Sequence, residues 1–563
     1  MTFILTQQKW KHMRGLSTAN KIIFFFIILF FLNITHAQET PMYAFRFPVG
    51  GRLLFDPIID NERVWILAEG NQLYTVTETG TAIGKGTIAI PKPVYAVPDK
   101  LGRILITDAT SKAELYNENC RLVWSIKLNG KLSIPPLFDS KGMLYICIDT
   151  NVLCYTPGGK LRTHFKLSDI PYSGCIATIN DSETIFFSIQ KPGNQSAVTG
   201  ISTKDFSATT WQTSQAASQF ALSTEGAVFS FGNKILLFSK IDEQPIALAE
   251  FSAPIIAMDF NGIYGAVLLQ NNILCLISHG KVLWSTQTKG DANTKVYLSQ
   301  ERIILYNKKR ALSFSLDGEL FREINITKST TNLIPAKSGV IFSGGEDWIL
   351  YAYQFEKFRH TQEKSNAFEN EFPVQTILAS EMLWLSAGYS DNSFVPYLDR
   401  AELALQRLEP LSQTDYAMII VAAGSLDADN IPDPQKNLSI PLRVKACIIL
   451  GADGNPDSIP YLLETALKEK DETLVAAALN AIADIGLDPH DIVLKKLAQN
   501  FSLPLSSQPA LAVIRCITKL TLAKGVQTNK LEALSILTKL QDSRFPELVR
   551  KKAQEAQFIL MRQ

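Results

Sequence analysis

Short apolar segments alternate with glycine turns from residue 42 to residue 358. A unit of roughly forty residues recurs there. It contains an Asp/Asn-Gly turn, an apolar strand, a tight turn, a second strand, another glycine turn and a third strand that often carries an aromatic residue. Clear copies span residues 139–165, 262–284 and 303–321. Evenly spaced short strands predict an all-β fold, and this period is typical of propeller blades.

The copies predict seven or eight blades, and we favour eight. Residues 173–211 form a degenerate copy with a longer loop at 191–195. The strand at residues 43–47 has no blade of its own, but it resembles the outer strand of other units, such as residues 122–126. We therefore expect it to complete the last blade and close the ring.

From Pro396 the apolar period changes to three and four residues, which predicts amphipathic helices joined by short loops. We expect a helical domain over residues 392–563, after a linker and unassigned segment at 359–391. Asp488-Pro489 is a helix start signal, with an acidic cap followed by proline. The predicted helices cover residues 398–408, 414–423, 440–450, 458–468, 472–485, 490–498, 508–522, 530–540 and 546–559.

The first 37 residues have the order of a secretory signal. Basic residues precede an apolar run that begins at Ile22, and small or polar residues close the segment at Ala37. The run is about 13 residues, short of the roughly 20 that a spanning helix needs. We expect export to the periplasm or outside the cell, with cleavage before Gln38. An uncleaved N-terminal membrane anchor is the alternative, and no other segment predicts a membrane span.

Composition narrows the possible partners. Lys plus Arg number 55 and Asp plus Glu number 54, so the chain lacks the one-sign field that recruits nucleic acid. The seven cysteines are an odd number, and most lie between apolar residues, which predicts buried thiols. Cys147 and Cys154, on neighbouring predicted strands, are the pair that merits a test for a disulfide.

Candidate chemistry is sparse. The histidines after the signal, His164, His279, His360 and His490, have no His or Cys at metal-ligand spacing. The acidic loop at 427–433 has Ile431 and Pro432 where a calcium loop needs a ligand and glycine. Asp453, Asn455 and Asp457 are interpreted as turn and cap residues, and the basic cluster at 550–552 as a solvated helix end. We expect no catalytic, cofactor or metal residue, and no cofactor.

The propeller units resemble the pyrroloquinoline-quinone-like repeat family. The resemblance rests on a Gly-x-(Ile/Leu)-Tyr strand, an Asp-Gly-(Glu/Lys)-Leu turn and a following Trp or Phe, as at Gly318 to Phe321 and Trp284. The family includes quinone dehydrogenases and cofactor-free scaffolds such as the propeller lipoprotein of outer-membrane barrel assembly. The enzymes have adjacent cysteines, and this sequence has no adjacent pair. The resemblance therefore favours the scaffold branch.

Two helix pairs resemble HEAT repeats. The pattern Leu442-Arg443, Ala446, Leu450 and Gly451 to Gly454 recurs 32 residues later, ending at Gly486. Small residues let helices approach closely, as an α-solenoid requires. The resemblance implies protein partners. We therefore expect an exported, non-enzymatic interaction scaffold, with a propeller that binds a small ligand or sugar at its axial mouth as the second hypothesis. A quinone-dependent dehydrogenase is the third.

Overall fold

The computed structural model of the protein describes residues 43–60, 62–179, 182–190, 196–213, 215–239, 243–355, 391–424, 438–488, 491–500, 506–524 and 527–562. The predicted signal at 1–37, the segment 359–390 and the acidic loop at 427–433 lie outside these residues, as do His360 and His490.

The described strands of the N-terminal part form eight antiparallel four-stranded sheets, which confirms the eight-bladed propeller. Blades 1 to 4 consist of β2–β5 (Ile58–Asp60, Arg63–Ala68, Gln72–Thr77, Ala82–Thr87), β6–β9 (Tyr95–Pro98, Ile104–Thr107, Lys112–Tyr116, Leu122–Lys127), β10–β13 (Leu137–Phe138, Leu144–Ile148, Asn151–Tyr155, Leu161–Lys166) and β14–β17 (Pro171–Ile179, Ser182–Gln190, Ser196–Ser202, Ala208–Thr213). Blades 5 to 8 consist of β18–β21 (Gln219–Ser223, Gly226–Phe231, Lys234–Phe238, Ile246–Glu250), β22–β25 (Ile255–Asn261, Tyr264–Leu269, Ile273–Ser278, Lys281–Gln287), β26–β29 (Lys295–Leu298, Arg302–Tyr306, Arg310–Ser315, Leu320–Asn325) and β30–β32 (Ile334–Pro335, Val340–Gly344, Ile349–Gln354) with β1 (Tyr43–Pro48).

The first strand of each blade lies innermost and the fourth lies at the rim. First strands of successive blades contact one another, as β18 contacts β22 and β22 contacts β26, whereas fourth strands such as β25 are mostly exposed. Because the strands are antiparallel, the first-to-second and third-to-fourth connections share one face of the ring, here named the lower face. The remaining connections lie on the upper face.

Each blade buries two apolar faces against its two neighbours. In β3, Val64 and Ile66 pack with Phe342 of blade 8, while Trp65 and Leu67 pack with Ile104 of blade 2. Successive side chains of a strand point to opposite faces of the sheet. The sequences of the middle strands of a blade are therefore apolar at nearly every position and do not alternate between apolar and polar residues.

A tryptophan of one outer strand packs on the third-to-fourth turn of the next blade, and for Trp124 and Trp284 that turn contains a glycine. The indole N–H of Trp124 donates to Pro157 O (2.9 Å), that of Trp211 to Glu243 O (2.9 Å) and that of Trp284 to Leu316 O (2.6 Å). The Trp284 ring lies against Gly318, where a Cβ would approach it to 3.0 Å. This contact holds the rims of blades 2, 4 and 6 to the third-to-fourth turn of the blade that follows.

The predicted closing strand is confirmed. β1 pairs antiparallel with β32, with Arg46 opposite Tyr351, and supplies the fourth strand of blade 8. Its Phe45 covers Gly80 of blade 1, as Trp124 covers Gly159 and Trp284 covers Gly318, and a Cβ on Gly80 would lie 2.7 Å from the Phe45 ring. The two ends of the propeller segment therefore meet within one blade.

The C-terminal part is helical and consistent with an α-solenoid. Its described helices are α1 (Asp391–Gln406), α2 (Gln413–Ala423), α3 (Ile440–Asp453), α4 (Ile459–Lys468), α5 (Glu472–Ile485), α6 (Ile492–Asn500), α7 (Ser507–Lys524), α8 (Gln527–Lys539) and α9 (Glu547–Met561). They share one apolar core, to which Leu101 of the propeller also packs. No helix within the described ranges is long and apolar enough to cross a membrane.

Three helix starts differ from the prediction by more than one residue, and one of them is α8, which begins at Gln527, three residues before its predicted start. α1 is described from Asp391, seven residues before the predicted start, because Phe394, Leu398 and Ala401 form its buried stripe around Pro396. α6 begins at Ile492, two residues after the predicted start. Asp488 is the predicted cap, and its carboxylate accepts from the N–H groups of Val493 (2.9 Å) and Leu494 (3.1 Å).

All seven cysteines are buried free thiols, as their apolar neighbours predict. Cys147 lies opposite Val152, and Cys154 lies opposite Tyr145. The two thiols share the apolar cluster between blades 3 and 4. They act there as small apolar side chains, without a disulfide between them.

Gly80→Ala should destabilise the propeller more than Gly70→Ala. Both glycines have positive φ, +92° and +73°, but a Cβ on Gly70 would meet nothing within 4 Å. Backbone strain costs each variant about 1–2 kcal/mol, and displacement of Phe45 adds roughly 1–3 kcal/mol at Gly80 alone. Urea unfolding followed by tryptophan fluorescence measures both. Equal losses would mean that the Phe45 contact does not hold the ring closed.

Candidate interaction surfaces

The lower face of blades 2 and 3 forms a junction with the helices. Lys141 pairs with Asp457 (2.5 Å), and Lys160 pairs with Asp484 (3.4 Å). The buried Asn117 of blade 2 donates its side-chain N–H to Leu522 O at 2.7 Å. These contacts come from third-to-fourth or first-to-second turns, so the helices lie on turns rather than on strand edges.

Arg162 and Asp453 form the central ion pair of the junction. The Arg162 side chain is 9% exposed and the Asp453 side chain 1% exposed. Burial raises the pKa of Asp453 to about 6, and the guanidinium of Arg162 opposes that rise. Arg162 also donates to Glu409 O at 3.4 Å. The pair joins β13 to the C-terminal end of α3.

Backbones approach closely on both sides of this ion pair. Gly454 and Gly486 end α3 and α5. A Cβ on Gly454 would lie 2.3 Å from the Thr156 methyl group, and one on Gly486 would lie 3.2 Å from Gly158 Cα. The sequence marks both glycines as part of the helical repeat, and the structure shows that they also admit the turn of blade 3.

Blade 3 itself contains a second buried acidic residue, Asp139. Asp139 Oδ1 accepts from the N–H groups of Lys141 (3.0 Å) and Met143 (2.8 Å), and Oδ2 accepts from Tyr145 Oη (3.1 Å). Burial, together with the charge of Glu183, raises the pKa of Asp139 to about 7. Glu183 itself accepts from the Ser140 N–H (2.9 Å). The arrangement fixes the first-to-second turn of blade 3.

Blade 8 carries a cluster of aromatic and charged side chains, here named the blade 8 cluster: Tyr43, Arg46, Asp347, Trp348 and Tyr351. The Arg46 guanidinium lies 4.1 Å from the Tyr43 ring centroid and 5.7 Å from that of Tyr351. Tyr351 donates its hydroxyl to Asp347 (2.5 Å), which raises its pKa to about 12.

Trp348 is the most exposed large side chain of this cluster. It is 56% exposed, lies in the second-to-third turn on the upper face and has φ +63°. A bulky residue with positive φ is a strained conformation, which persists where the surrounding structure enforces it. Here Trp348 O accepts from the Val49 N–H at 2.9 Å. Trp, Tyr and Arg are the residues most enriched at binding hot spots.

The upper face also exposes apolar side chains around the axis. Leu54, Val94 and Ile170 lie in fourth-to-first connections and are 43%, 47% and 50% exposed. Tyr172 and Phe220, near the upper ends of two innermost strands, are 40% and 41% exposed. The helices lie on the lower face, so this set faces away from the junction.

The residues singled out in the sequence do not converge. His164 and His279 are both exposed, the first on β13 and the second in a turn of blade 6. Within the described ranges, no group of three or more His, Cys, Asp or Glu side chains is placed to hold a metal ion. Asn455 is a turn cap, as predicted, with Oδ1 accepting from the Asp457 N–H at 3.0 Å. Asp453 and Asp457 instead form ion pairs with Arg162 and Lys141 of the propeller.

No family model matches the sequence, and no curated protein matches it. Solved structures that resemble the propeller include BamB from Moraxella catarrhalis (10% identity, 57% of this chain and 100% of that chain, TM-score 0.42). Others are Sqt1 from Saccharomyces cerevisiae (9%, 56% and 100%, 0.43) and the computationally designed Ika8 protein (11%, 54% and 98%, 0.41). At these values the similarity concerns architecture alone and carries no functional argument.

Arg162→Met should release the helical part from the propeller. Removing one partner of a buried pair costs about 3–5 kcal/mol, because the other charge stays buried. A specific protease site introduced at residues 359–370 allows the test. After cleavage, the two fragments of the wild type should co-elute in gel filtration, and those of the variant should separate. Lys160→Met is the control, because exposed pairs contribute only about 0–1 kcal/mol. Co-elution of the Arg162→Met fragments would contradict a central role for this pair.

Asp139 should make the protein less stable as the pH rises. Its pKa is raised from 3.8 to about 7, so between these values the folded state binds more protons than the unfolded state. Stability therefore falls across this window as the pH increases. Asp139→Asn keeps both backbone hydrogen bonds at its Oδ1 and can donate its amide N–H to Tyr145 Oη, so it should flatten the decline in urea midpoint from pH 5 to pH 7.5. Asp317→Asn, on an exposed turn, is the control. An unchanged slope in Asp139→Asn would assign the decline to other groups.

Proposed function

We propose that the protein is an exported, non-enzymatic scaffold that binds other proteins through its propeller and its helical part. The observation that carries the proposal is the blade 8 cluster. An exposed Trp348 and an Arg46 stacked on Tyr43 are a combination that contributes strongly to binding once a partner excludes water. Export rests on the basic and apolar order of the first 37 residues.

The family relationships belong to the same proposal. The aromatic-on-glycine contact, as at Trp284 and Gly318, supports the pyrroloquinoline-quinone-like class of propeller. In the helices, Gly451 packs against Ala481, where a Cβ would lie 2.7 Å from Ala481 Cα. This close approach of α3 and α5 supports HEAT-like repeats.

The junction supports a role that needs two surfaces at a fixed spacing. The Arg162–Asp453 pair and the Asn117 hydrogen bond tie blades 2 and 3 to α3 and α7. The blade 8 cluster lies on a different blade, and its exposed Trp348 is on the upper face, away from the helices. A partner bound there leaves the helical surface available for a second partner.

A small ligand or sugar at the axial mouth is the second candidate. Tyr172 and Phe220 are exposed there on innermost strands. The Tyr172 hydroxyl donates to Ala217 O (2.5 Å) and accepts from Ser188 (2.7 Å), which fixes the ring. A ligand that raises the melting temperature of the wild type but not of Phe220→Ala would favour this candidate.

Trp348→Ala and Arg46→Ala should each lose protein partners without unfolding the chain. Tagged full-length chains are recovered from the native host, and co-purified proteins are identified by mass spectrometry. The same preparation reports the mature N-terminus, expected at Gln38. Phe321→Ala is the matched control, because Phe321 is 62% exposed and lies under Arg302 (4.3 Å), outside the blade 8 cluster.

Two results would contradict the proposal. Recovery of the same partners by all three variants would exclude the blade 8 cluster as the docking surface. A mature chain that begins at Met1 and is recovered from the cytoplasm would contradict the proposal that the protein is exported.

A further inference from the structure

Helix α9 presents a stripe of four side chains beside its buried face. Val549, Ala553, Ala556 and Leu560 face the helical core. Leu548, Lys552, Glu555 and Ile559 follow one another at intervals of four, three and four residues, which places them on one side of a helix. Leu548 and Ile559 are 55% and 46% exposed, and the Lys552 and Glu555 side chains are 52% and 45% exposed.

The order of this stripe is self-complementary. Along the helix the four positions are apolar, basic, acidic and apolar. In the opposite direction the order is the same, except that the basic and acidic positions are exchanged. Around a two-fold axis midway between residues 553 and 554, Leu548 meets Ile559 of a second helix. Lys552 meets Glu555 of the same second helix. A two-fold interface requires this property, because each residue contacts its symmetry partner in the other copy.

We propose that α9 forms an antiparallel helix pair with α9 of a second copy of this chain, through the stripe Leu548, Lys552, Glu555 and Ile559. Lys552 already pairs with Glu555 of its own helix at 2.7 Å. In the pair, each charge gains a second opposite neighbour, and the two apolar ends are covered. A surface shaped for an unrelated partner has no physical reason to be complementary to itself.

The pair gives each assembly two blade 8 clusters. One helix pair buries less than the roughly 1,600 Å² of a standard interface, so we expect a weak dimer. Clusters joined in this way raise the apparent affinity for a partner that carries two epitopes. Dimerisation itself does not depend on the proposed binding function.

Charge exchange tests the pairing directly. Lys552→Glu creates two acidic positions on the stripe, and Glu555→Lys creates two basic positions. Each variant alone should be monomeric, because like charges oppose across the two-fold axis. An equimolar mixture should form a heterodimer, since each acidic position then meets a basic one. Rescue in the mixture cannot come from repair within a helix, because each helix still carries two like charges.

The measurement uses full chains with two different tags. Co-purification of one tag with the other reports association, and sedimentation velocity over a concentration series reports the dissociation constant. The wild type should dimerise, Leu548→Glu should weaken the dimer at least tenfold, and the mixture should recover it to within a few-fold. Leu531→Glu is the matched control, because Leu531 is 73% exposed on α8 and lies outside the stripe. Its dissociation constant should match that of the wild type.

Three outcomes would overturn the proposal. A wild type that stays monomeric at millimolar concentration excludes the pair. A dimer that survives both single charge changes uses another surface. Monomeric single variants that fail to associate when mixed, with unchanged helix content by circular dichroism, mean that the stripe serves a different partner.

Discussion

The fold depends on one constraint: a blade has two apolar faces and cannot bury either alone. Val64 and Trp65 are neighbours in β3, yet one packs towards blade 8 and the other towards blade 2. An open row of blades would leave two such faces in water, at roughly 25 cal/mol for each Å² of apolar area. The ring must therefore close, and β1 closes it by pairing with β32. The Phe45 contact on Gly80 repeats the rim contact at the seam.

Ring closure also creates the blade 8 cluster. Tyr43 and Arg46 lie at the start of the propeller segment, and Tyr351 lies at its end, but the pairing of β1 with β32 places Arg46 opposite Tyr351. Three ring contacts of 5.3–5.9 Å then join Tyr43, Tyr351 and Tyr353. The strand that completes the ring thus supplies two of the five residues of the surface on which the proposed function rests.

Patterns of short range predicted most of the architecture. The forty-residue period predicted the blades, the resemblance of residues 43–47 to an outer strand predicted closure, and the three-to-four period predicted the helices. The junction could not be predicted in this way. Asp453 and Asp457 have the local signature of turn residues, and their partners Arg162 and Lys141 are about three hundred residues away. No periodicity connects such positions, because the contact depends on how two finished folds meet.

The chemistry of the junction explains why it has one geometry. Apolar contacts such as that of Leu101 with the helical core allow the helices to shift along the propeller, because the free energy of apolar burial depends on the buried area and not on direction. The buried Arg162–Asp453 pair does not, because any shift leaves two desolvated charges unpaired. Burial raises the pKa of Asp453, and the Arg162 guanidinium opposes that rise. The requirement that the two buried charges stay paired therefore favours a single orientation of the helices on the propeller. A scaffold that presents two surfaces to partners at once requires that fixed orientation.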